Sequence, residues 1–395
     1  MINKIAHNLR HSPELDIESE TSTFAPGRKL ETCEIRERDQ HLACRRETLI
    51  SVEFHRKNYV QFQYTEEHYY DRSTMSFTVK PIEGEYAEKL DRAFGVKNAV
   101  FEYNPGKCLM PIYFSEIAQQ VLDAPIREDD VWLISFPRTG STWCQEMIWA
   151  IGNNFDFETA KNTVQQIRAP LIELSTALAE YYDTLGALIG NSVEYVANQP
   201  SPRYIKSHLP FPLLPTQLDK IKPKIIYTAR NPKDLCVSYF HHCKMFHNLN
   251  TTFEEFCDLF INDHTPLGSI WTHYLPFWNK RHETNILFLK YEDMKKDFRG
   301  TVRKLADFME KSITEEQIDS LEDFLSVDKM RENKGCNLQI LIDTKRGKDY
   351  YKKSGQHFIR KGEVGDHINH MSPEMIKKFD DWIALNTKGT GLTFD

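Results

Sequence analysis

Val131-Trp-Leu-Ile-Ser-Phe136, running directly into Pro137-Arg-Thr-Gly-Ser-Thr-Trp143, is the stretch on which the fold turns. A short, nearly continuous apolar run suits a strand buried on both faces, as in a parallel sheet covered by helices. Pro137 cuts the strand, and a helix follows from Ser141 with Trp143, Met147 and Ile151 on one face. Gly152-Asn153-Asn154 closes that helix. Strand, short polar loop, helix is a geometry that presents free backbone amides to an anion. Gly140 lets the backbone turn tightly, the Ser141 and Thr142 hydroxyls add donors, and Arg138 adds a permanent charge in a planar fork. A motif this short also occurs as a plain strand-to-helix connection, so it needs support from the rest of the chain.

That support is an alternation of strands and helices. Lys224-Ile-Ile-Tyr-Thr-Ala229 reads as a second strand, followed by Asn231-Pro232, a cap with proline at the first helical position. Asn285-Ile-Leu-Phe-Leu-Lys290 reads as another strand. Thr314-Glu-Glu-Gln317 is a capping box ahead of Ile318, Leu321 and Leu325, and Ser372-Pro373 opens a helix near the end. The pattern predicts an α/β fold: a single domain with a central parallel sheet, a phosphate-binding strand-loop-helix and helices on both faces. Residues 130–390 form the domain, residues 75–129 lead into it, and residues 1–74 are an extension expected to be poorly ordered. The first fifty mix charges of both signs with little hydrophobic periodicity, and aromatics from Phe54 to Tyr70 are interrupted throughout by charge.

Composition removes several classes of function. The 395 residues are 40% hydrophobic and 27% charged, with 50 Lys and Arg against 57 Asp and Glu, a net charge of −7. No global basic surface advertises nucleic acid or an anionic membrane, so an anion must be held by a local site. The eight cysteines form no CxxC pair and no zinc pattern, which predicts reduced thiols and no metal. The first ten residues lack the apolar core of a signal peptide, and no run of 18 apolar residues occurs, which together predict a cytoplasmic protein. The sequon Asn250-Thr-Thr252 is read as coincidence in that setting.

The loop is not a Walker A motif. With Gly140 as the second glycine, Ser135 stands where the first would be and Ser141 where the lysine would be. A phosphotransferase needs that lysine and an acidic metal ligand, so a nucleotide without a γ-phosphate fits better.

Ser135-Phe-Pro-Arg-Thr-Gly-Ser-Thr-Trp143 resembles the 5′-phosphosulfate loop of the cytosolic sulfotransferases, with the flavour of an invertebrate member. These enzymes use 3′-phosphoadenosine-5′-phosphosulfate (PAPS). Four further segments match in order: Tyr204-Ile-Lys-Ser-His-Leu-Pro210, Tyr227-Thr-Ala-Arg-Asn-Pro-Lys-Asp-Leu-Cys-Val-Ser-Tyr-Phe240, Phe288-Leu-Lys-Tyr-Glu-Asp293 and Phe358-Ile-Arg-Lys-Gly-Glu-Val-Gly-Asp366. The resemblance implies that Arg138, Thr139, Gly140, Ser141 and Thr142 hold the phosphosulfate and that Trp143 stacks on adenine. It implies that Arg230 and Ser238 bind the 3′-phosphate with Arg360, Lys361 and Gly362, and that Tyr291 contacts the adenine side. His208 corresponds to the catalytic base, with Lys206 and Arg138 stabilising charge on the leaving oxygen.

The residues are suited to those roles. Two positions apart on a strand, Lys206 and His208 face one cleft. Imidazole is the side chain whose ordinary pKa suits taking a proton from a hydroxyl near neutral pH. A lone histidine is more often structural, an arginine before a helix cap is more often a surface ion pair, and a tryptophan on an apolar helix face is often core. The register of five segments reverses those odds for His208, Arg230 and Trp143. His241, His242 and His247, on the helix after Ser238, could line the acceptor pocket, but the structural or solvated reading is preferred for them.

Some positions depart from the family. Arg138 stands where lysine is common, and Leu325-Ser-Val327 lacks the usual aromatic, which leaves Ser326 and Val327 out of the expected nucleotide site. His367 replaces a tryptophan, and Ile368–Met375 shows no recognisable dimerisation motif, so the oligomeric state stays open. The reading is an enzyme that moves a sulfonate from PAPS to a hydroxyl of a small hydrophobic acceptor, releasing 3′-phosphoadenosine-5′-phosphate (PAP). Phe114, Phe136, Tyr239 and Phe240 are aromatic candidates for the acceptor pocket. The alternatives are a retinol-dehydratase-like reaction through a sulfonated intermediate, or a binding protein without catalysis.

Overall fold

The computed structural model describes residues 77–177, 189–348 and 350–394; the expected extension, residues 1–74, lies outside them. The described chain opens with β1 (Thr78–Pro81), β2 (Phe101–Asn104) and β3 (Cys108–Met110), which pair antiparallel in that order. Sequence reading saw only a lead-in here. Its strands of four, four and three residues are too short to show an alternating pattern. Their side chains are nonetheless part of the main core, since Val79, Tyr103 and Met110 are buried in the cluster that holds Trp132. Distant segments complete this sheet's surroundings: the Asn250 amide donates to the Ala93 carbonyl and the Leu267 amide to the Leu109 carbonyl, each at 2.7 Å.

The central sheet is parallel, as expected. Its strands are β4 (Val131–Ser135), β5 (Tyr204–Ser207), β6 (Lys224–Ala229) and β7 (Ile286–Lys290), in the order β5-β4-β6-β7. Alternation sends Trp132 and Ile134 of β4 into one core and Val131 and Leu133 into the other. All five residues of β4 are buried because both faces are covered. Burying each such apolar side chain contributes about 1.5–3 kcal/mol. The first face carries α1 (Pro232–Phe246) and α2 (Ile270–Asn279), through Leu235, Tyr274 and Phe277. The second is covered by the helix Ser141–Gly152, through Met147, Ile148 and Ile151, and by Phe298–Phe308, through Val302 and Leu305. Among the described residues, no helix is long and apolar enough to cross a membrane.

Parallel pairing puts the carboxyl ends of all four strands on one edge, with Ile134 level with Ser207, Ser135 with Thr228, and Ala229 with Lys290. The residue leaving each strand there is Phe136, His208, Arg230 and Tyr291. Crevices at this edge are where open α/β sheets bind ligands.

Candidate active site

The loop after β4 is bent by two residues in the left-handed region, Arg138 at φ 70° and Gly140 at φ 85°. Gly140 is required twice over, since a Cβ there would stand 2.5 Å from Cδ2 of Tyr291. The helix Ser141–Gly152 starts at Gly140 with no side chain capping its first amides. Gly140, Ser141 and Thr142 line the cavity, so the uncapped amides of this turn are available as the donors an anion needs. Thr139 turns its hydroxyl away from the cavity. Its hydroxyl is buried, donates to the Phe136 carbonyl at 3.0 Å and meets the Thr228 hydroxyl at 3.0 Å, so it holds the loop to β6 and does not line the cavity.

Cations converge on the same place. Arg138 donates from Nε to Ser238 Oγ at 3.1 Å and from Nη2 to the Phe358 carbonyl at 2.9 Å, with its guanidinium 4.7 Å from the Phe358 ring centre. Burial, then the nearby Arg230 and Arg360, lower its pKa to about 9, so it remains a cation at neutral pH. Arg230 is buried, donates to the Glu363 carbonyl at 2.9 Å and lies 4.4 Å over the Tyr291 ring. Asp366 holds both Arg360, at 2.5 Å, and Lys361, at 2.7 Å. Its carboxyl sits well below the usual range: burial opposes ionisation, but hydrogen bonds from Lys361, Asn369 and Arg360 win. The buried Nε atoms of Arg230 and Arg360 have no protein partner. Uncapped amides, clustered guanidinium groups and orphaned buried donors together fit a bisphosphorylated nucleotide.

The end of β5 carries the second half of the site. His208 Nδ1 lies 2.6 Å from the Ser135 carbonyl oxygen, an acceptor only, so Nδ1 carries the proton and Nε2 keeps its lone pair. Burial, then Lys206, push the imidazole well below its ordinary pKa, which leaves it neutral at pH 7. Lys206 is 4% exposed, and burial lowers its ammonium to about 8, partly offset by Glu173. Glu173 escaped the sequence reading, although a lone carboxylate inside Ala169-Pro-Leu-Ile-Glu-Leu174 was its signal. It is buried, accepts from the His208 amide at 2.6 Å and from the Ser207 hydroxyl at 3.0 Å.

A cavity of about 910 Å³ joins these groups. Arg138, Gly140, Ser141, Thr142, Trp143, Lys206, His208, Arg230, Ser238, Tyr291, Arg360, Lys361 and Gly362 all line it; of the expected set only Thr139 does not. Trp143 packs one face on Phe298, with ring centres 5.7 Å apart. Ser326 and Val327, left out on sequence, also line the cavity, with Val327 Cγ2 only 2.7 Å from where a Gly362 Cβ would stand. Of the four pocket aromatics, Tyr239 alone is there; Phe114, Phe136 and Phe240 are packed into the core. His242 and His247 line the cavity, where the structural or solvated reading was preferred: α1 turns His242 toward Phe246 and Phe358, and His247, just past its end, has its ring centre 5.6 Å from that of His242. Apolar walls from Leu109, Met110, Leu171 and Leu174 complete the far end.

Comparison with known proteins agrees with this geometry. The sulfotransferase domain family matches residues 128–391. Luciferin sulfotransferase of Photinus pyralis is 36% identical over 287 residues, which is 71% of this chain and 77% of that protein. Sulfotransferase 1E1 of Bos taurus is 34% identical over 289 residues, 72% of this chain and 93% of that one. Among solved structures, retinol dehydratase in complex with retinol and PAP superposes with a TM-score of 0.71 at 28% identity, covering 81% of this chain and 99% of that one.

Proposed function

This chain belongs to the sulfotransferase family, and from that footing we propose that it moves a sulfonate group from PAPS to a hydroxyl of a small hydrophobic acceptor. The observation that carries the proposal is the His208–Ser135 bond, which leaves an unprotonated Nε2 on a cavity that also holds Lys206 and Arg138. Bound PAPS supplies the sulfonate. The amides of Gly140, Ser141 and Thr142, with the Ser141 and Thr142 hydroxyls, hold the phosphosulfate end. Arg230, Ser238, Arg360, Lys361 and the Gly362 backbone hold the 3′-phosphate, and Trp143 and Tyr291 flank the adenine. His208 takes the hydroxyl proton on Nε2 as the acceptor oxygen attacks sulfur. Lys206 and Arg138 stabilise the charge that grows on the departing bridging oxygen, in a setting where burial strengthens the effect. PAP and the sulfonated acceptor leave. Thr139 acts through the loop's shape. The reaction suits small molecules in the cytoplasm and calls on no nucleic acid, membrane or metal.

The likeness to retinol dehydratase supports a second reading for allylic alcohols, in which the sulfonated product eliminates and leaves a dehydrated compound. The same residues serve both, so the products separate them. The test incubates the protein with sulfur-labelled PAPS and a panel of phenols, steroids and retinoids, beside His208→Ala. Label transferred to an acceptor by the wild type and lost in the variant is expected. Dehydrated retinol with released inorganic sulfate would select the second reading. PAP binding without consumption of PAPS on any acceptor would leave a binding protein and overturn the proposal.

A further inference from the structure

Glu173 is a buried carboxylate beside β5, apart from the Asp366 that holds Arg360 and Lys361. Residues Pro170–Ile172 run beside β5: the Lys206 amide donates to the Pro170 carbonyl at 2.9 Å and the Ile172 amide to the Lys206 carbonyl at 3.0 Å. This register delivers Glu173, the next residue, to the end of the strand. Its Oε1 accepts from the His208 main-chain amide at 2.6 Å and its Oε2 from the Ser207 hydroxyl at 3.0 Å. The Ser207 oxygen in turn accepts from the Leu209 amide at 3.1 Å, so its one proton is committed to Glu173. Both carboxylate oxygens are therefore acceptors of bonds that favour the ionised form. The bonds fall on the two residues where the strand ends and the catalytic imidazole begins.

We propose that Glu173 is a positioning residue for the transfer, fixing the main chain that carries His208 and keeping the Lys206 side chain charged. The inference rests on the transferase reading given above. Around Lys206, Arg138 from the loop after β4 opposes its charge, while Glu173 favours it most strongly; Cys144 and Glu146, from the helix Ser141–Gly152, favour it less. Lys206, Arg138 and His273 surround the His208 ring, and its carbonyl accepts from His273 Nε2 at 3.0 Å. With no carboxylate at Glu173, the strongest favourable charge on Lys206 is gone and the His208 amide has a weaker acceptor. Burial raises the Glu173 carboxyl to about 7, opposed by the bonds from His208 and Ser207 and by Lys206, so it is ionised in the alkaline range where Lys206, at about 8, loses its proton.

The decisive variant is Glu173→Gln, which keeps shape and an amide oxygen for the His208 N–H but removes the charge. The readouts are kcat/KM against pH with labelled PAPS and the panel acceptor that the wild type turns over, with PAP affinity and circular dichroism as checks of the fold. An opposite charge close by moves a pKa by about one unit or more. The alkaline limb of Glu173→Gln should move down by about one pH unit, a further roughly tenfold loss at high pH, while PAP affinity holds within about twofold. Lys206→Arg should move the same limb upward, which assigns it. A folded Glu173→Gln whose alkaline limb stays in place overturns the proposal, whatever its kcat. If that variant does not fold, Glu173→Asp decides. The charge remains but the reach shortens by one methylene, so kcat should fall about tenfold with the limb unmoved, and a wild-type kcat overturns the positioning role. A wild type that transfers label to no panel acceptor takes down the transferase reading and this inference together, and is seen before any variant is made.

Discussion

Replacing His208 by asparagine isolates proton abstraction from everything else this residue does. The asparagine amide N–H can still donate to the Ser135 carbonyl in place of Nδ1–H, and the main-chain amide still donates to Glu173. Hydrogen bonds of that kind each contribute about 0.5–1.5 kcal/mol, so the fold should lose little. What disappears is the Nε2 lone pair on the cavity. A positioned general base is worth about 10²–10⁴ in rate, or roughly 3–5 kcal/mol of barrier. The expected result is a kcat lowered by at least about a hundredfold, with PAP affinity changed less than about twofold. The pH profile adds a second mark. Burial and Lys206 keep the wild-type imidazole neutral, so its acid limb should lie below pH 6.5, and the asparagine variant should lack that limb. The assay is initial-rate transfer of label from PAPS, with calorimetric titration of PAP. A variant that keeps more than about a tenth of the wild-type rate would refute His208 as base.

Gly140→Ala forces a side chain into a backbone at φ 85° and into a ring 2.5 Å away; strain and overlap together should cost about 2–5 kcal/mol, lower the melting temperature and weaken PAP at least tenfold by calorimetry. Unchanged PAP affinity would show that the loop does not need that approach. Asp366 is held below the ordinary carboxylate range, so its stabilisation is present above pH 4 and lost as pH falls through the depressed value. Asp366→Asn should therefore melt lower at pH 7 and show a flatter acid dependence in calorimetry; an unchanged melt at both pH values would count against the clamp. A chain starting at Met75 should fold and transfer label at the full-length rate, and loss of activity there would give the extension a structural part.

The site was legible wherever a residue type and a strand end coincide. Val131–Ser135 reads as a doubly buried strand because nothing polar interrupts it before Ser135, and Arg138 to Trp143 follow at a fixed distance. His208 and Lys206 were visible only through the resemblance of Tyr204–Pro210 to the family segment, since a lysine and a histidine two positions apart carry no local signal of a site. The direction of the Thr139 hydroxyl was not legible, because a hydroxyl in a polar loop gives no sign of where it points, and the Thr228 that meets it is 89 residues away. Glu173 was missed because its partners, Ser207 and His208, are a tertiary pairing that no local period announces. Three of the four pocket aromatics, Phe114, Phe136 and Phe240, lie in the core for a related reason. Phe136 sits next to the loop in sequence, but alternation turns it into the core beside Tyr239.

The small antiparallel sheet at the start of the described chain bears on how the protein is made. Its strands emerge first, yet the backbone of Ala93 and Leu109 is satisfied by Asn250 and Leu267, about 160 residues later. At about 5–20 residues per second of synthesis, the partners arrive roughly 10–30 s afterwards. For that interval the core around Val79, Tyr103 and Met110 has only nearby segments such as Leu90, Ala93 and Val121, and lacks Leu235, Tyr274 and Phe277 of α1 and α2. The non-local closure around Leu109 and Met110, which line the cavity, therefore delays completion of this part of the core until residues near 267 have been translated.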